Sequence, residues 1–452
     1  MSGLRTRAWG TGLALCLVFA LAQVQEETFE IYAEHPRIFL RPPRLKLLKR
    51  ERERRSLRWQ QFETLLVGKA PMPEPGFAKA LFYRVADHQE TGKEAVAWAL
   101  NTARENSPAD LRQMAIVFDW CQDLLSGAQS QALAAKLRRG SLAAARSHAL
   151  PAIRSRLLAA IALEGDGSRK ELEQILTRWW QSQTAPALKS GRNPIPRDDT
   201  YALMEILHAV RDTLNIDLRD SAPAFFKTLP IFHLVSYYPA VYPAPENEFR
   251  IPAAKGSSDP DLRHAALSRA AELSMVAYDT NAPESQVLQG WLLHDHFLMR
   301  GTFGITYEFL WANPYQPGLS YYHVPLVFHD DLNGRLFVRS SWEDSATWLG
   351  FFDGELQLFR DGKVTVLNPQ LTSGPLSLEE AVVFFGNNAR KFRVLLNAEE
   401  QVFVLGLKPR QKYDVEVDDE GIREERTDPG GILALKLPHK IEIGVRMKES
   451  GL

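Results

Sequence analysis

The spacing of apolar residues changes once along this 452-residue chain, and that change constrains the fold more than any single motif. Up to about residue 310, apolar side chains recur three and four apart; beyond about residue 325 they recur every second position. The clearest helical case is "DLRQMAIVFDWCQDLL", in which Leu111, Met114, Ala115, Val117, Phe118, Cys121, Leu124 and Leu125 form one wide apolar stripe. Ser126 followed by Gln129 has the form of a capping box opening the next helix, "AQSQALAAKL". Helices are also expected over "AKALFYRVA", "AIRSRLLAAIALEG", "RKELEQILTRWWQSQ", "YALMEILHAVRDTL" and "LRHAALSRAAELSMVAYD". The basic run at residues 36–58 reads as a solvated first helix. There is no fixed repeat length, which argues against the common solenoids.

The second half reads as strands. "FVRSSWEDSATWLGFFDGELQLFRDG" (337–362) alternates apolar and polar residues around Trp342 and Trp348. Similar runs follow in "KVTVL", "KFRVLLN", "QVFVLGL", "YDVEVD", "ILALKL" and "IEIGVRM", with Asp-Gly, Asn-Gly and Pro-Gly-Gly at the turns. Two Pro-rich connections, 191–199 and 237–252, interrupt the helical part and are long enough to suggest a functional loop. The expected organisation is multidomain α and β, a helical domain followed by antiparallel β structure. Its boundaries are set at 30–315 for the helices, 320–395 for a β-sandwich and 396–452 for a small C-terminal β module.

Composition adds limits. With 45% hydrophobic and 24% charged residues the chain can build sizeable cores. A net charge of −1 gives no global attraction to nucleic acid or membrane surfaces. Arg5 and Arg7 precede an apolar run at 11–22 that ends in Ala20-Leu21-Ala22, the form of a cleavable export signal at residues 1–22. That run is short of the roughly 20 residues of a membrane span. The expected location is therefore periplasmic or secreted, with no stable membrane span after cleavage. Cleavage would remove Cys16 and leave Cys121 alone, a core residue with no disulfide partner. No phosphate-binding Gly-rich loop, Gly-x-Ser-x-Gly elbow or Cys-based metal motif is present, so no cofactor or metal is called for.

Three segments carry a family resemblance. "HPRIFLRPPRLKLLKRE" (35–51), "DLRQMAIVFDWCQDLLSGAQSQALAAKL" (110–137) and "GRLFVRSSWEDSATWLGF" (334–351) resemble, in order, the heparinase II/III-like polysaccharide lyases. The resemblance implies an incomplete (α/α) toroid followed by a β-sandwich, and an exported protein acting on uronate polysaccharides. Such lyases neutralise the uronate carboxylate, remove the C5 proton with a Tyr or His base and expel the 4-oxygen. On this resemblance Tyr201 matches the catalytic tyrosine and His148 the helical histidine, with Ser147 where the family places Asn. The family's His-x-His-x-Asp loop has no counterpart, since "FDGELQLFRDGKV" passes from strand to strand without a histidine.

Other residues extend the candidate site. Tyr201, Glu205 and His208 share one helical face, readable as an active-site face or as a structural network. Tyr242, Asn247 and Arg250 would form a carboxylate-binding corner in the second Pro-rich connection. His294 and Arg300 are candidates to face a glycan groove, and His294, Asp295 and His296 would need further ligands to hold a metal. The tyrosines of "SYYPAVYP" (236–243) and "PGLSYYHVP" (317–325), with Trp179, Trp180, Trp291 and Trp311, read as sugar-stacking or core residues. Asp414, Glu416, Asp418 and Asp419 read as a solvated strand face or a calcium site. The leading expectation is an exported protein that binds acidic, uronate-containing polysaccharide in its helical cleft, with β-elimination as the reaction if it is active. The alternatives are a non-catalytic glycan-binding or envelope-scaffolding protein on the same fold and, third, a metal-dependent hydrolase.

Overall fold

The computed structural model describes residues 29–243, 248–256, 261–296, 301–386, 390–396, 400–438 and 442–451. The expected export signal at 1–22, Asn247 and Arg300 lie outside the described residues. No helix among the described residues is long and apolar enough to cross a membrane.

The first part is helical: α1 (Pro42–Glu53), α2 (Leu57–Val67), α3 (Pro75–Ala86), α4 (Gln89–Asn101), α5 (Pro108–Trp120), α6 (Gly127–Ala144) and α7 (Leu150–Leu163). It continues through α8 (Asp166–Gln174), a π-helical stretch (Ile175–Thr184), α9 (Ala185–Lys189), α10 (Thr200–Leu214), α11 (Pro223–Val235), α12 (Leu262–Tyr278), α13 (Pro283–His294) and α14 (Ile305–Trp311). Local chemistry sets many of the starts. Proline occupies the first turn of α1, α3, α5, α7, α11 and α13, where its missing N–H costs nothing. Ser56, Ser107 and Asp261 accept backbone N–H groups at the caps of α2, α5 and α12. The capping box of Ser126 and Gln129 forms as expected. The basic run divides into α1 and α2, because Glu51 is buried and takes a charge-assisted bond from Arg58 of the second helix (3.0 Å).

Six helices pack in a closed succession: α3 on α5, α5 on α7, α7 on α10, α10 on α12, α12 on α14, and α14 back on α3. The segment before α1 is tied to α5 by Asp119. Its carboxylate accepts the backbone N–H of Arg37 (3.0 Å) and Ile38 (2.8 Å), while Trp120 donates its indole N–H to the Ile38 carbonyl (2.8 Å). Cys121 is buried in the helical core as expected, as are Trp180, Trp291 and Trp311.

The β part is a stack of three sheets. The first has order β3 (Val327–Asp330), β4 (Arg335–Arg339), β5 (Trp348–Phe352), β6 (Glu355–Arg360), β7 (Lys363–Leu367). The second contains β8 (Leu376–Leu378), β9 (Ala381–Phe385), β11 (Gln401–Leu405) and β14 (Leu433–Leu435). The third contains β10 (Lys391–Leu395), β12 (Lys412–Val417), β13 (Ile422–Arg426) and β15 (Glu442–Glu449).

Alternation assigns the faces. Phe337, Trp348, Phe352 and Phe359 join the helical core, while Leu336, Val338, Leu349, Phe351 and Leu356 pack on the second sheet. The second sheet is covered on both sides, with Val383, Phe385, Phe403 and Leu405 towards the first and Val382, Phe384, Val402 and Val404 towards the third. Its strands "AVVFF" and "QVFVL" are accordingly almost continuously apolar, as strands buried on both faces must be. Gly350 is required by the same layering, since a Cβ there would collide with the Trp348 ring.

Three expectations are corrected. The segment 237–252, read as a connection, contains a hairpin of β1 (Tyr237–Pro243) and β2 (Glu248–Pro252), its prolines being tolerated because a two-stranded ribbon has only edges. The boundary at 396 cuts through paired strands: β9 pairs with β11, and β10 with β15, across that point. One apolar core between the second and third sheets holds residues from Val382 to Met447 together. The β part is not wholly antiparallel either, because β10 leaves for the third sheet and β11 returns parallel to β9.

Candidate functional site

The face of α10 that carries Tyr201, Glu205 and His208 points into the middle of the helical succession, and all three residues are buried. Glu205 accepts both Nε (2.9 Å) and Nη2 (2.5 Å) of Arg112 from α5 and Nη1 of Arg154 (2.9 Å) from α7. Arg112 also donates to Glu74 (3.0 Å), which accepts the Tyr307 hydroxyl (2.5 Å). Burial opposes charge here, yet Arg112 and Arg154 hold the Glu205 carboxyl below its ordinary pKa. The two cations and two carboxylates balance.

Tyr201 belongs to the same network. It is only 2% exposed, its hydroxyl accepts the indole N–H of Trp311 (3.0 Å), and its ring meets Tyr307 edge-on at 5.1 Å. Burial and the nearby Glu205 push its phenol well above 10. His208 donates Nε2–H to the Ser274 carbonyl (2.9 Å) and lies 4.3 Å from the Trp311 ring. Burial and Arg211 hold it neutral, well below 6.5. His148 lies exposed in the turn before α7 and makes no hydrogen bond to a described residue. The structure thus gives Tyr201, Glu205 and His208 partners of their own and sets His148 on the surface.

A second network fastens the β1–β2 hairpin at the junction of helices and sheets. Arg250 gives Nε (3.2 Å) and Nη2 (2.9 Å) to Asp295 and Nη1 to Asp344 (2.8 Å) and the Pro239 carbonyl. Asp295 also accepts Arg269 (2.8 Å), and the two arginines pull its pKa down against burial. The carboxylate expected from a ligand at Arg250 is therefore supplied by the chain. Asp295 is buried between those arginines while His294 and His296 are exposed, so the three adjacent residues do not converge. No group of three or more His, Cys, Asp or Glu side chains is placed to hold a metal among the described residues. In the third sheet, Glu416 and Asp419 lie within 4 Å of Arg446, and Asp414 within 4 Å of Lys448.

Beside the hairpin lies an open pocket of about 370 Å³, bounded by the hairpin, the start of α12 and the β6–β7 turn. Tyr238, Tyr242, Phe359 and His264 line it. Tyr242 is 40% exposed, and Tyr238 stacks on Phe359 at 5.8 Å. The Tyr238 hydroxyl donates to Gln357 (2.7 Å), and burial raises its pKa to about 12. The backing is rigid. Arg339 donates to the Tyr237 carbonyl (3.2 Å), Trp348 to the Val235 carbonyl (2.8 Å), and Gln357 to the Ala254 carbonyl (2.9 Å). The other Pro-rich connection docks nearby: the Asn193 N–H donates to Asn333 (3.0 Å), whose amide returns a bond to the Gly191 carbonyl (3.0 Å). His264 lies 3.2 Å from Asp198, and that bond depresses the carboxyl's pKa.

Of the expected residues that are described, the pocket gathers Tyr242 and Tyr238, two of the tyrosines of "SYYPAVYP". Phe359 and His264 went unread, although Phe359 stands two residues before an Asp-Gly turn. Arg112 and Arg154 were also missed; Arg112 is a single arginine within an apolar helical run, while Arg154 shares its helix with Arg156.

No protein-family model matches the chain, and no curated protein matches it. Among solved structures, a glycoside hydrolase is similar over 83% of this chain and 71% of its own, at 10% identity and a TM-score of 0.30. Heparan sulfate lyase HepC from Pedobacter heparinus is similar over 78% of this chain and 57% of its own, at 14% identity and a TM-score of 0.36. A mutant of that lyase is similar at 13% identity, with the same TM-score of 0.36. The chain spans a little over half the length of those lyases.

Proposed function

We propose that this chain is an exported protein that binds a uronate-containing polysaccharide at the hairpin pocket and holds it without cutting it. The observation that carries the reading is the pocket of about 370 Å³ walled by Tyr238, Tyr242 and Phe359. An aromatic face suits the C–H face of a pyranose, and rings fixed in place lose little entropy on binding. Exposed Lys255, Arg263 and Lys363 flank lining residues along the chain and would attract an acidic glycan. On this reading the closed helical succession corresponds to the incomplete toroid of the lyase-like fold, and residues 1–22 direct the protein to the periplasm or beyond.

The absence of cleavage follows from the same geometry. β-Elimination needs a base at the C5 proton and a neutralised carboxylate in one open site. Here the Tyr201 phenol is enclosed and hard to ionise, and Ser147 offers no amide. His148 sits on the surface, and Arg250 is saturated by Asp295 and Asp344.

Titration of the full chain with polygalacturonate, alginate and heparan sulfate tests the binding. At least one should bind, and Tyr242→Ala should weaken that binding by about tenfold, a loss of roughly 1.4 kcal/mol. Equal affinity in both proteins would remove the pocket from the reading.

A further inference from the structure

A larger cavity, of about 470 Å³, shares no lining residue with the hairpin pocket. It lies between the start of α1, the second halves of α10 and α12, and the chain leaving α14, and no strand residue lines it. Its charge is unbalanced. Arg41, Arg44 and Arg211 line it against one carboxylate, Asp212, which takes Nε of Arg211 (2.9 Å). His208 adds no positive charge, because burial keeps it neutral.

The spare cationic capacity sits on Arg44 and Arg41. Among the described residues Arg44 donates to two backbone carbonyls, Leu310 (3.4 Å) and Trp311 (3.3 Å), with its guanidinium 5.4 Å from the Trp311 ring. Burial, partly offset by Asp212 and reinforced by Arg211 and Arg58, lowers its pKa to about 10. Arg41 gives one Nη to the Asp212 carbonyl (2.7 Å), and its buried Nε has no partner among the described residues. A half-buried guanidinium without a carboxylate loses hydration that no opposite charge replaces, and a bound anion would supply that charge. Elsewhere in the helical part, Arg112 and Arg250 have carboxylate partners of their own.

The wall supplied by α12 is apolar, formed by Leu273, Val276 and Ala277, and Leu47 adds an apolar side chain one turn from Arg44 on α1. An inorganic anion would leave that wall unused, and a neutral apolar ligand would leave the arginines unpaired. From Arg41 and Arg44 facing this wall across one cavity, we infer that it binds a small organic carboxylate. Its carboxylate pairs with Arg44 and Arg41, and its apolar body lies on Leu47 and Val276. The volume falls within the roughly 300–1,000 Å³ usual for small-molecule sites. This inference does not rest on the polysaccharide reading.

Calorimetric titration of the full chain with sodium benzoate tests it, with benzyl alcohol and inorganic phosphate as comparisons. Benzoate should bind at least tenfold more tightly than either. Arg44→Gln should weaken benzoate at least tenfold while leaving polysaccharide binding unchanged, so this proposal and the preceding one can fail separately. Leu47→Glu, which puts a carboxylate one helical turn from Arg44 in place of the ligand's own, should abolish benzoate binding and carries the test if Arg44→Gln does not fold. Phosphate binding as tightly as benzoate would overturn the organic-carboxylate assignment. No benzoate binding, or equal binding in wild type and both variants, would overturn the site.

Discussion

Two clusters of arginine, one buried and one half-buried, lie near Trp311, and they differ in how their charge is met. In the middle of the helices, Arg112 and Arg154 are matched in charge by Glu205 and Glu74, and Glu74 also accepts the Tyr307 hydroxyl, while Arg154 Nε has no partner among the described residues. In the cavity by α1, Arg44 and Arg41 meet backbone carbonyls and the rings of Trp311 and Tyr32, with no carboxylate bonded to either among the described residues. A balanced network asks for nothing further and stiffens the helix contacts, whereas an unbalanced one beside open volume retains capacity for a ligand. Residue type therefore does not mark the functional region. The pairing does.

The sharpest way to break the comparison is to remove the balance. Glu205→Gln leaves Arg112 and Arg154 buried without their shared carboxylate, and denaturant unfolding should show a loss of about 3–5 kcal/mol. Arg44→Gln should cost under about 1 kcal/mol, since it removes an unmatched cation; similar losses in the two variants would erase the distinction.

Acid should find the next largest difference. His233 is buried, and burial, Arg197 and the opposing Glu272 together set its pKa at about 4. The unfolded chain binds a proton near pH 6.5 that the folded chain refuses until about pH 4, so stability is full above 6.5 and falls as pH drops through that window. The loss should reach about 3 kcal/mol at pH 4, and His208, lowered by burial and Arg211, adds in the same direction. A denaturation midpoint that stays flat from pH 6.5 to 4 would contradict this account of neutral buried histidines.

Smaller effects refine the picture. Tyr201→Phe leaves the Trp311 indole N–H without its acceptor and should cost about 1–2 kcal/mol, with polysaccharide affinity unchanged. Glu416→Ala, in an exposed ion pair with Arg446, should change stability by less than about 0.5 kcal/mol. A larger loss there would mean that the third sheet depends on its surface charges.

Much of the fold was legible because periodicity is a property of single segments. The α5 stripe, the Ser126 capping box and strands β4 to β7 all follow from local spacing. The three-sheet stack was not legible, because "AVVFF" and "QVFVL" become adjacent only when β10 crosses to another sheet. The candidate site was harder still. Tyr201, Glu205 and His208 do share a helix face, but the spacing is silent on what that face meets; Arg112, 93 positions before Glu205, decides it. Tyr242 was readable from its aromatic, Pro-rich surroundings, while Phe359 and His264 reach the same pocket from distant segments.

The most direct test asks whether bound polysaccharide is cut. Wild-type protein and Tyr201→Phe are incubated with each uronate polysaccharide that binds, and the ultraviolet absorbance of unsaturated uronate ends is followed. Binding with no rise in absorbance in either protein is the predicted result. A rise in wild type that Tyr201→Phe abolishes would contradict it, and would make the enclosed tyrosine a catalytic residue after all.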